Sequence, residues 1–195
     1  MASETSVVTP ERFQKGFTYQ DYIGQIKVNK ARFDGFYENF KVTPDDAAAL
    51  KQLAAKPNGP AKMLVLGEDW CGDVIRGMPV LARICESAGL EMSIFPRDEN
   101  HDIMNEFLKN GEWMSIPVAV FYTTDHQYIC HWIERPASAE LEIEQIAKDI
   151  KAAKPDIDDQ EFGRERRAAT AARAEAWQQD SVTEIRELLA QQRIS

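Results

Sequence analysis

Cysteine is scarce in this sequence, and no two cysteines lie close together. Cys71, Cys85 and Cys130 are the three in 195 residues. Three cysteines do not make the paired framework of a small secreted domain. No C-x-x-C pair and no cysteine–histidine spacing typical of zinc ligands occurs. We therefore expect neither a disulfide framework nor a metal site.

Long hydrophobic runs are absent too. No stretch approaches the roughly 20 apolar residues that a membrane helix needs. Residues 1–13 contain neither a basic leader nor an apolar signal core. These absences predict a cytoplasmic protein with no membrane partner.

Basic residues are fewer than acidic ones. Lysine and arginine number 23 against 32 aspartates and glutamates, which gives a formal net charge of −9. This excess opposes broad attraction to nucleic acid or anionic lipid. The basic cluster of Arg164, Arg166, Arg167 and Arg173 lies among alanine and glutamate, as is typical of a solvated helix face. We therefore expect no nucleic-acid partner.

The apolar content, 44% of the residues, is that of a globular protein. We predict an N-terminal helical extension over residues 1–60, a central α/β domain over 61–153 and a C-terminal helical extension over 154–195. Thr18 and Thr43 begin N-terminal helices, because a threonine side chain can cap the amides exposed there. Proline and glycine at 57–60 end this first segment.

The central segment alternates strands and helices. Apolar runs and helical spacing predict strands at 63–66, 91–95, 116–121 and 128–133, and helices at 74–88 and 102–109. The short polar turn at 123–125 makes the last two strands an antiparallel hairpin. This order predicts a mixed α/β sheet.

Further helices follow the hairpin. The helix at 138–153 is predicted to cover the sheet. Two more are predicted within 156–195, the second beginning with a capping box from Ser181 to Glu184. This tail could pack on its own domain or on a second subunit, so a homodimer through the helical extensions remains open.

Cys71 lies where a strand gives way to a helix. The strand at 63–66 ends at Gly67, and helical spacing begins just after residues 69–73. A cysteine in this position is close to unpaired amides and to the positive end of the helix dipole. Both stabilise a thiolate, which is how a protein makes a cysteine reactive.

Three motifs, in this order, resemble a known family. Residues 68–73 read E-D-W-C-G-D, residues 97–100 read R-D-E-N, and residues 115–117 read S-I-P. Over residues 61–151 the chain resembles the thioredoxin-like superfamily, and more narrowly a bacterial subgroup that carries these motifs. The resemblance implies an α/β thioredoxin-like fold with helical N- and C-terminal extensions.

The resemblance also implies roles for site residues. Cys71 matches the nucleophile, and Trp70 would shield the thiol and contact partners, unless it simply packs in the core. Pro117 matches a cis-proline that faces the cysteine. Ser115 and the backbone of Ile116 would then bind an extended substrate strand.

The sequence departs from the superfamily pattern at two positions. Val74 stands where a second cysteine would resolve a disulfide, and Val65 stands where typical thioredoxins place a buried acid. Asp73 follows Cys71 by two residues, and an ionised carboxylate there would raise the thiol pKa. We expect Asp73 to be either a catalytic group or a favourable partner of the helix dipole.

No other cysteine is placed to resolve Cys71. Cys85 lies fourteen residues further on and is predicted to lie in the same helix. The two cysteines would then be about 21 Å apart along the helix axis, which is far beyond disulfide reach. Cys130 should lie opposite Val120 or Phe121 in the hairpin. Both read as small buried residues, so a disulfide of Cys71 would be intermolecular.

Two functions remain in competition. The first is a monothiol thiol–disulfide oxidoreductase that forms mixed disulfides through Cys71 with a protein disulfide or small thiol. It needs no bound cofactor, although glutathione or another low-molecular-weight thiol would be its co-substrate. Oxidation of the same thiol by peroxide is a variant of this function. The second is a redox-inactive module for protein interaction, which Val65 and Val74 favour.

Several neighbours could support either function. Arg76 and Arg97 are candidates for binding an anionic thiol, and Trp113 and Met114 could form an apolar rim where a partner docks. A glutathione-transferase-like enzyme is disfavoured, since helices precede the sheet.

Overall fold

A four-stranded mixed sheet forms the centre of the computed structural model, which describes residues 6–192. Its strands are β1 (Lys62–Gly67), β2 (Glu91–Pro96), β3 (Val118–Tyr122) and β4 (Tyr128–Ile133). They are ordered β2-β1-β3-β4, with β1 parallel to β2 and antiparallel to β3, and β3 antiparallel to β4. The prediction of a mixed α/β sheet is therefore confirmed.

The two central strands are buried on both faces. Residues 63–66 of β1 and 118–121 of β3 are fully enclosed, so their continuous apolar runs suit strands covered by helices on each side. The hairpin prediction also holds, because Phe121 pairs with Cys130 across the β3–β4 ladder. The third strand starts at Val118 rather than at Ile116.

Four helices precede the sheet within the described residues. They are α1 (Pro10–Phe13), α2 (Tyr19–Gln25), α3 (Lys30–Asn39) and α4 (Pro44–Ala54). The Thr18 side chain accepts a hydrogen bond from the Asp21 amide, and the Thr43 side chain accepts one from the Asp46 amide. Both predicted threonine caps are therefore confirmed.

The crossover between β1 and β2 is the long helix α5 (Gly72–Ala88). It ends at Gly89, whose φ of 74° places it in the left-handed region that glycine adopts without strain. A 3-10 turn over Arg97–Glu99 and the short helix α6 (His101–Met104) follow β2. The prediction of a helix over 102–109 was wrong in extent, because the chain turns after Met104.

The three helices after β4 are α7 (Ala137–Ala153), α8 (Asp159–Ala172) and α9 (Ala174–Gln191). The expectation that the helix at 138–153 covers the sheet was wrong. Ala139 is the buried residue of α7, and α8 has none, while these two helices pack mainly on each other. Instead α9 packs on α5, α4 and β4. It buries the apolar side chains Trp177, Val182, Ile185 and Leu189.

The predicted capping box at Ser181 was also wrong. Ser181 lies inside α9, where its hydroxyl donates to the Trp177 carbonyl one turn earlier at 2.8 Å. A buried serine that bonds to the preceding turn is a known alternative to capping. The S-x-x-E spacing was therefore a coincidence within a longer helix.

The terminal helices share one core with the sheet. Phe33 of α3, Leu50 of α4 and Ile185 of α9 belong to the same buried cluster as the residues of β1. The division into segments at residues 60 and 153 stays a prediction. No helix within the described residues is long and apolar enough to cross a membrane.

Candidate functional site

Cys71 is the N-cap residue of α5, directly after the loop that leaves β1. Its backbone is extended, with φ −81° and ψ 125°, and its side chain is half-buried. The sulfur lies 3.7 Å from the carbonyl oxygen of Ile116, within reach of a weak S–H···O hydrogen bond. The fold thus brings together two predicted site residues that are 45 positions apart in the sequence.

Opposing influences act on the Cys71 thiol. Burial is the largest and raises its pKa. The Asp73 and Val74 amides at the helix start lower this pKa, although the Cys71 side chain makes no capping hydrogen bond. The carboxylates of Asp73 and Glu134 raise it again, so the net pKa lies above that of an ordinary thiol. The thiol form therefore predominates at neutral pH.

The loop facing the thiol contains Ser115, Ile116 and Pro117. The Ile116–Pro117 peptide bond is cis, and both residues are buried, while Ser115 is half-buried. The Pro117 carbonyl accepts a hydrogen bond from the Glu134 amide at 2.6 Å. A Cβ on Gly77 of α5 would lie 3.2 Å from Pro117 Cγ, so glycine permits the close approach of helix and loop.

Exposed apolar side chains lie next to the two segments that meet at the thiol, Trp70 directly before Cys71 and Trp113 and Met114 directly before Ser115. Trp70 is 54% exposed, which contradicts the alternative that it packs in the core. Trp113 is 59% and Met114 40% exposed, as expected for an apolar rim. The Arg97 guanidinium lies 5.1 Å from the Trp70 ring centre and donates to the Met114 carbonyl at 3.2 Å. Arg97 thus links Trp70 to the segment that contains Met114.

Asp69 ties the loop before Cys71 to the N-terminal helices. Its carboxylate accepts hydrogen bonds from the amides of Lys27 and Val28 at 2.9 and 3.2 Å. The Asn29 side chain donates to the Asp69 carbonyl at 2.9 Å. No local sequence pattern indicates this anchor, because its partners lie 40 to 42 positions away from Asp69.

Asp73 is held by two arginines. Arg76, one turn further along α5, pairs with its Oδ1, and Arg135, just after β4, donates to its Oδ2 at 2.9 Å. Arg76 is therefore engaged with Asp73 rather than free for an anionic thiol. Arg135 and its neighbour Glu134 were missed by sequence reasoning, since no local motif marks residues that reach the site through the fold.

The two departures from the superfamily pattern are part of the core. Val65 and Val74 are fully buried. The other two cysteines, Cys85 and Cys130, are buried. Cys85 lies beside Met63, with its sulfur 3.7 Å from the methionine sulfur. Burial raises the pKa of Cys85 and raises that of Cys130 to about 12. Both cysteines are thus inert thiols, and all three cysteines of the chain are free.

The described residues contain no group of three or more histidine, cysteine, aspartate or glutamate side chains that could hold a metal ion.

This is a protein of thioredoxin-like fold. The fold is defined by the sheet order, by the α5 crossover and by the cysteine at the start of α5, opposite the loop of Ile116 and Pro117. The family model described as thioredoxin matches residues 16–151. The chain belongs to this thioredoxin family.

Two solved structures share the fold. A protein of unknown function from Pseudomonas aeruginosa is 15% identical, with a TM-score of 0.65 over 91% of this chain and 94% of the other. An HIV epitope-scaffold is 15% identical, with a TM-score of 0.66 over 95% of this chain and 98% of the other. At this identity the likeness concerns the fold alone, and it extends over most of the terminal helices. A search of curated proteins finds no match.

Proposed function

We propose that the protein is a monothiol thiol–disulfide oxidoreductase that acts through Cys71. The observation that carries the proposal is the half-buried Cys71 sulfur at the start of α5, 3.7 Å from the Ile116 carbonyl and beside the exposed Trp70. A reactive cysteine needs partial access and nearby amides that favour the thiolate. Both are present, and Cys85 and Cys130 are too deeply buried to compete.

The exchange runs in two balanced steps. The Cys71 thiolate attacks one sulfur of a client disulfide, a new S–S bond forms, and the other client sulfur leaves as a thiolate that takes up a proton. A small thiol such as glutathione, as its thiolate, then attacks the client sulfur of the mixed disulfide. Cys71 leaves as a thiolate, and the client carries the small thiol. Val74 supplies no second thiol for an internal route.

Neighbouring residues have distinct parts in this proposal. The backbone of Ile116, with Ser115 and Pro117, binds the client chain beside the sulfur, and Trp70 covers it from the solvent side. Asp73 acts on the thiol through its charge. The proposal includes a cytoplasmic location, where a co-substrate thiol would be available, and a bacterial source, which the resemblance of the E-D-W-C-G-D motif supports.

We expect the reactivity of Cys71 to keep rising through the alkaline range. The thiolate is the reacting form, and burial raises the pKa of the Cys71 thiol. The rate of alkylation by iodoacetamide should therefore still increase above about pH 8.5, the pKa of an ordinary thiol. The measurement is the alkylation rate between pH 6 and about 10.5, with mass spectrometry to locate the label.

Cys71→Ser is the control for this measurement. The variant should show no alkylation while folded and no exchange with a glutathione mixed disulfide. Exchange that survives in Cys71→Ser would refute the proposed function. A thiol that reacts only after unfolding would refute it as well.

A redox-inactive interaction module is the second candidate. The raised thiol pKa and the exposed rim of Trp70, Trp113 and Met114 favour it. A module of this kind should keep its bound proteins in Cys71→Ser and lose them in Trp113→Asp. An oxidoreductase should lose the disulfide-linked fraction in Cys71→Ser, and a reducing gel of the bound material separates the two results.

A further inference from the structure

Asp73 lies within a cluster of charged side chains beside the thiol. Three carboxylates and three cations take part, which makes the cluster neutral overall: Asp73, Glu134, Glu140, Arg76, Lys109 and Arg135. Asp73, Arg76 and Arg135 have side chains only 18–21% exposed. Interactions among such partly buried charges are screened less than those on an open surface.

Asp73 opposes thiolate formation at Cys71, and it would do so more strongly if its charge were not offset by nearby cations. It lies two residues from Cys71, and an ionised carboxylate near a thiol disfavours the second negative charge. Two guanidinium groups meet its two oxygens separately, Arg76 at Oδ1 and Arg135 at Oδ2. The carboxylate is therefore held between two positive charges.

Both guanidinium groups are fixed by the surrounding fold. Arg135 also pairs with Glu134, whose amide bonds to the Pro117 carbonyl opposite Cys71. The Arg76 guanidinium lies 5.7 Å from the Trp177 ring centre. The backbone carbonyl of Arg76 accepts a hydrogen bond from the Gln178 side chain at 3.1 Å. We call Asp73 with its two partners Arg76 and Arg135 the clamp. The clamp connects α5 to the end of β4 and to α9.

We propose that Arg76 and Arg135 are positioning residues that offset the charge of Asp73 and thereby favour formation of the Cys71 thiolate. The inference rests on the proposed function, because it concerns the same thiol. Glu134 is the other carboxylate that acts on Cys71, and it is paired with Lys109 and Arg135. Lys109 also pairs with Glu140 of α7. From α9 the cluster is met by the neutral side chains of Trp177 and Gln178.

Arg135→Met tests the clamp through the pH dependence of Cys71 alkylation by iodoacetamide. Methionine keeps much of the length of the side chain but has no charge, so Asp73 should act on the thiol more strongly. We expect the alkylation rate at pH 7.5 to fall about three- to tenfold, because the inflection of the rate–pH profile moves to higher pH. Arg135→Lys keeps the charge and should retain most of the rate.

Arg83→Met is the matched control. Arg83 lies on the same helix and pairs with Glu86 three residues away, as Arg76 pairs with Asp73. Its guanidinium packs on Tyr37, away from the thiol. Its loss should leave the Cys71 inflection unchanged, so an equal shift in Arg83→Met would overturn the proposal.

Asp73→Asn in the Arg135→Met background decides the mechanism. If Arg135 acts by neutralising Asp73, removal of the carboxylate should restore the wild-type inflection. A slow rate that persists in the double variant would mean that Arg135 acts in another way and would overturn the proposal. Should Arg135→Met not fold, Arg76→Met with and without Asp73→Asn gives the same decision.

Alkylation separates the clamp from the proposed function. It reports ionisation and access of the thiol and requires no disulfide exchange. A shifted inflection without exchange would support the clamp and refute the oxidoreductase. Exchange with an inflection unmoved by loss of either arginine would support the oxidoreductase and refute the clamp.

Discussion

Val74→Cys is expected to convert the single-thiol site into one that closes an internal disulfide. Val74 is the third residue of α5, and Cys71 is its N-cap. Residues three apart at a helix start have Cβ atoms roughly 5–6 Å apart, and modest local adjustment brings two sulfurs into bonding distance. The new thiol would attack the mixed disulfide at Cys71 without any encounter with a second molecule.

The expected gain in rate is large because the attack becomes intramolecular. Well-placed groups in one molecule react as if at effective concentrations of about 10⁵ M or more in the best cases. A buried thiol at position 74 is less favourable, since it must ionise in a closed site. Release of the mixed disulfide should still be at least 100-fold faster than in the wild type with about 1 mM external thiol.

The measurement is the yield of 2-thiopyridone after reaction with one equivalent of 2,2′-dipyridyl disulfide. The wild type should release one thiopyridone per protein and keep the pyridylthio group on Cys71. Val74→Cys should release two and end as an internal disulfide, while Val74→Ser, of similar size but without a thiol, should release one. A yield of one from Val74→Cys would show that position 74 cannot reach the Cys71 sulfur.

Local motifs were sufficient to predict the centre of this fold. The apolar run of β1, the helix start after Cys71 and the stop at Gly89 each depend on residues close together in the sequence. The same holds for the threonine caps and for the β3–β4 hairpin with its short turn. Such features are set by backbone preferences and side-chain periodicity, which a single sequence displays directly.

The closing helix could not be predicted in the same way. Ile143, Ile146 and Ile150 recur along α7 at helical spacing, as expected of a helix that covers a sheet. In α9 the apolar residues Val182, Ile185 and Leu189 show the same pattern. Which helix packs on the sheet is a tertiary choice, and α7 instead pairs with α8.

The candidate site, too, could be predicted only where local motifs mark its residues. Cys71, Trp70 and the loop at Pro117 were found because motifs mark them. The chemistry around the thiol was not, because Arg135 reaches Asp73 from 62 positions away. The balance between burial and the helix amides also depends on how deeply the fold encloses the sulfur. Sequence could place Asp73 near the thiol but could not reveal its two cationic partners.

Val182→Asp should unfold the protein or remove most of its stability, whereas Leu141→Asp should do neither. Val182 of α9 is fully buried, and Leu141 of α7 is 70% exposed. A carboxylate enclosed without a partner costs several kcal/mol, out of a total stability of roughly 5–15 kcal/mol. An exposed substitution on a helix surface is usually within about 0.5 kcal/mol of neutral.

Urea unfolding of both variants distinguishes the two possible closing helices. Helix propensity acts against the expected result, because aspartate is about as poor a helix former as valine but a poorer one than leucine. Its cost of about 0.5 kcal/mol therefore falls on Leu141→Asp. Burial raises the pKa of the new carboxyl at position 182 above its unfolded value of about 3.9. Its destabilising effect should therefore be smallest below that pH and should grow as the pH rises, which a polar surface site would not show. A greater loss of stability in Leu141→Asp than in Val182→Asp would mean that α7, and not α9, covers the sheet. The contact between the Arg76 guanidinium and Trp177 of α9, which helps to hold Arg76 beside Asp73, would then be wrong as well.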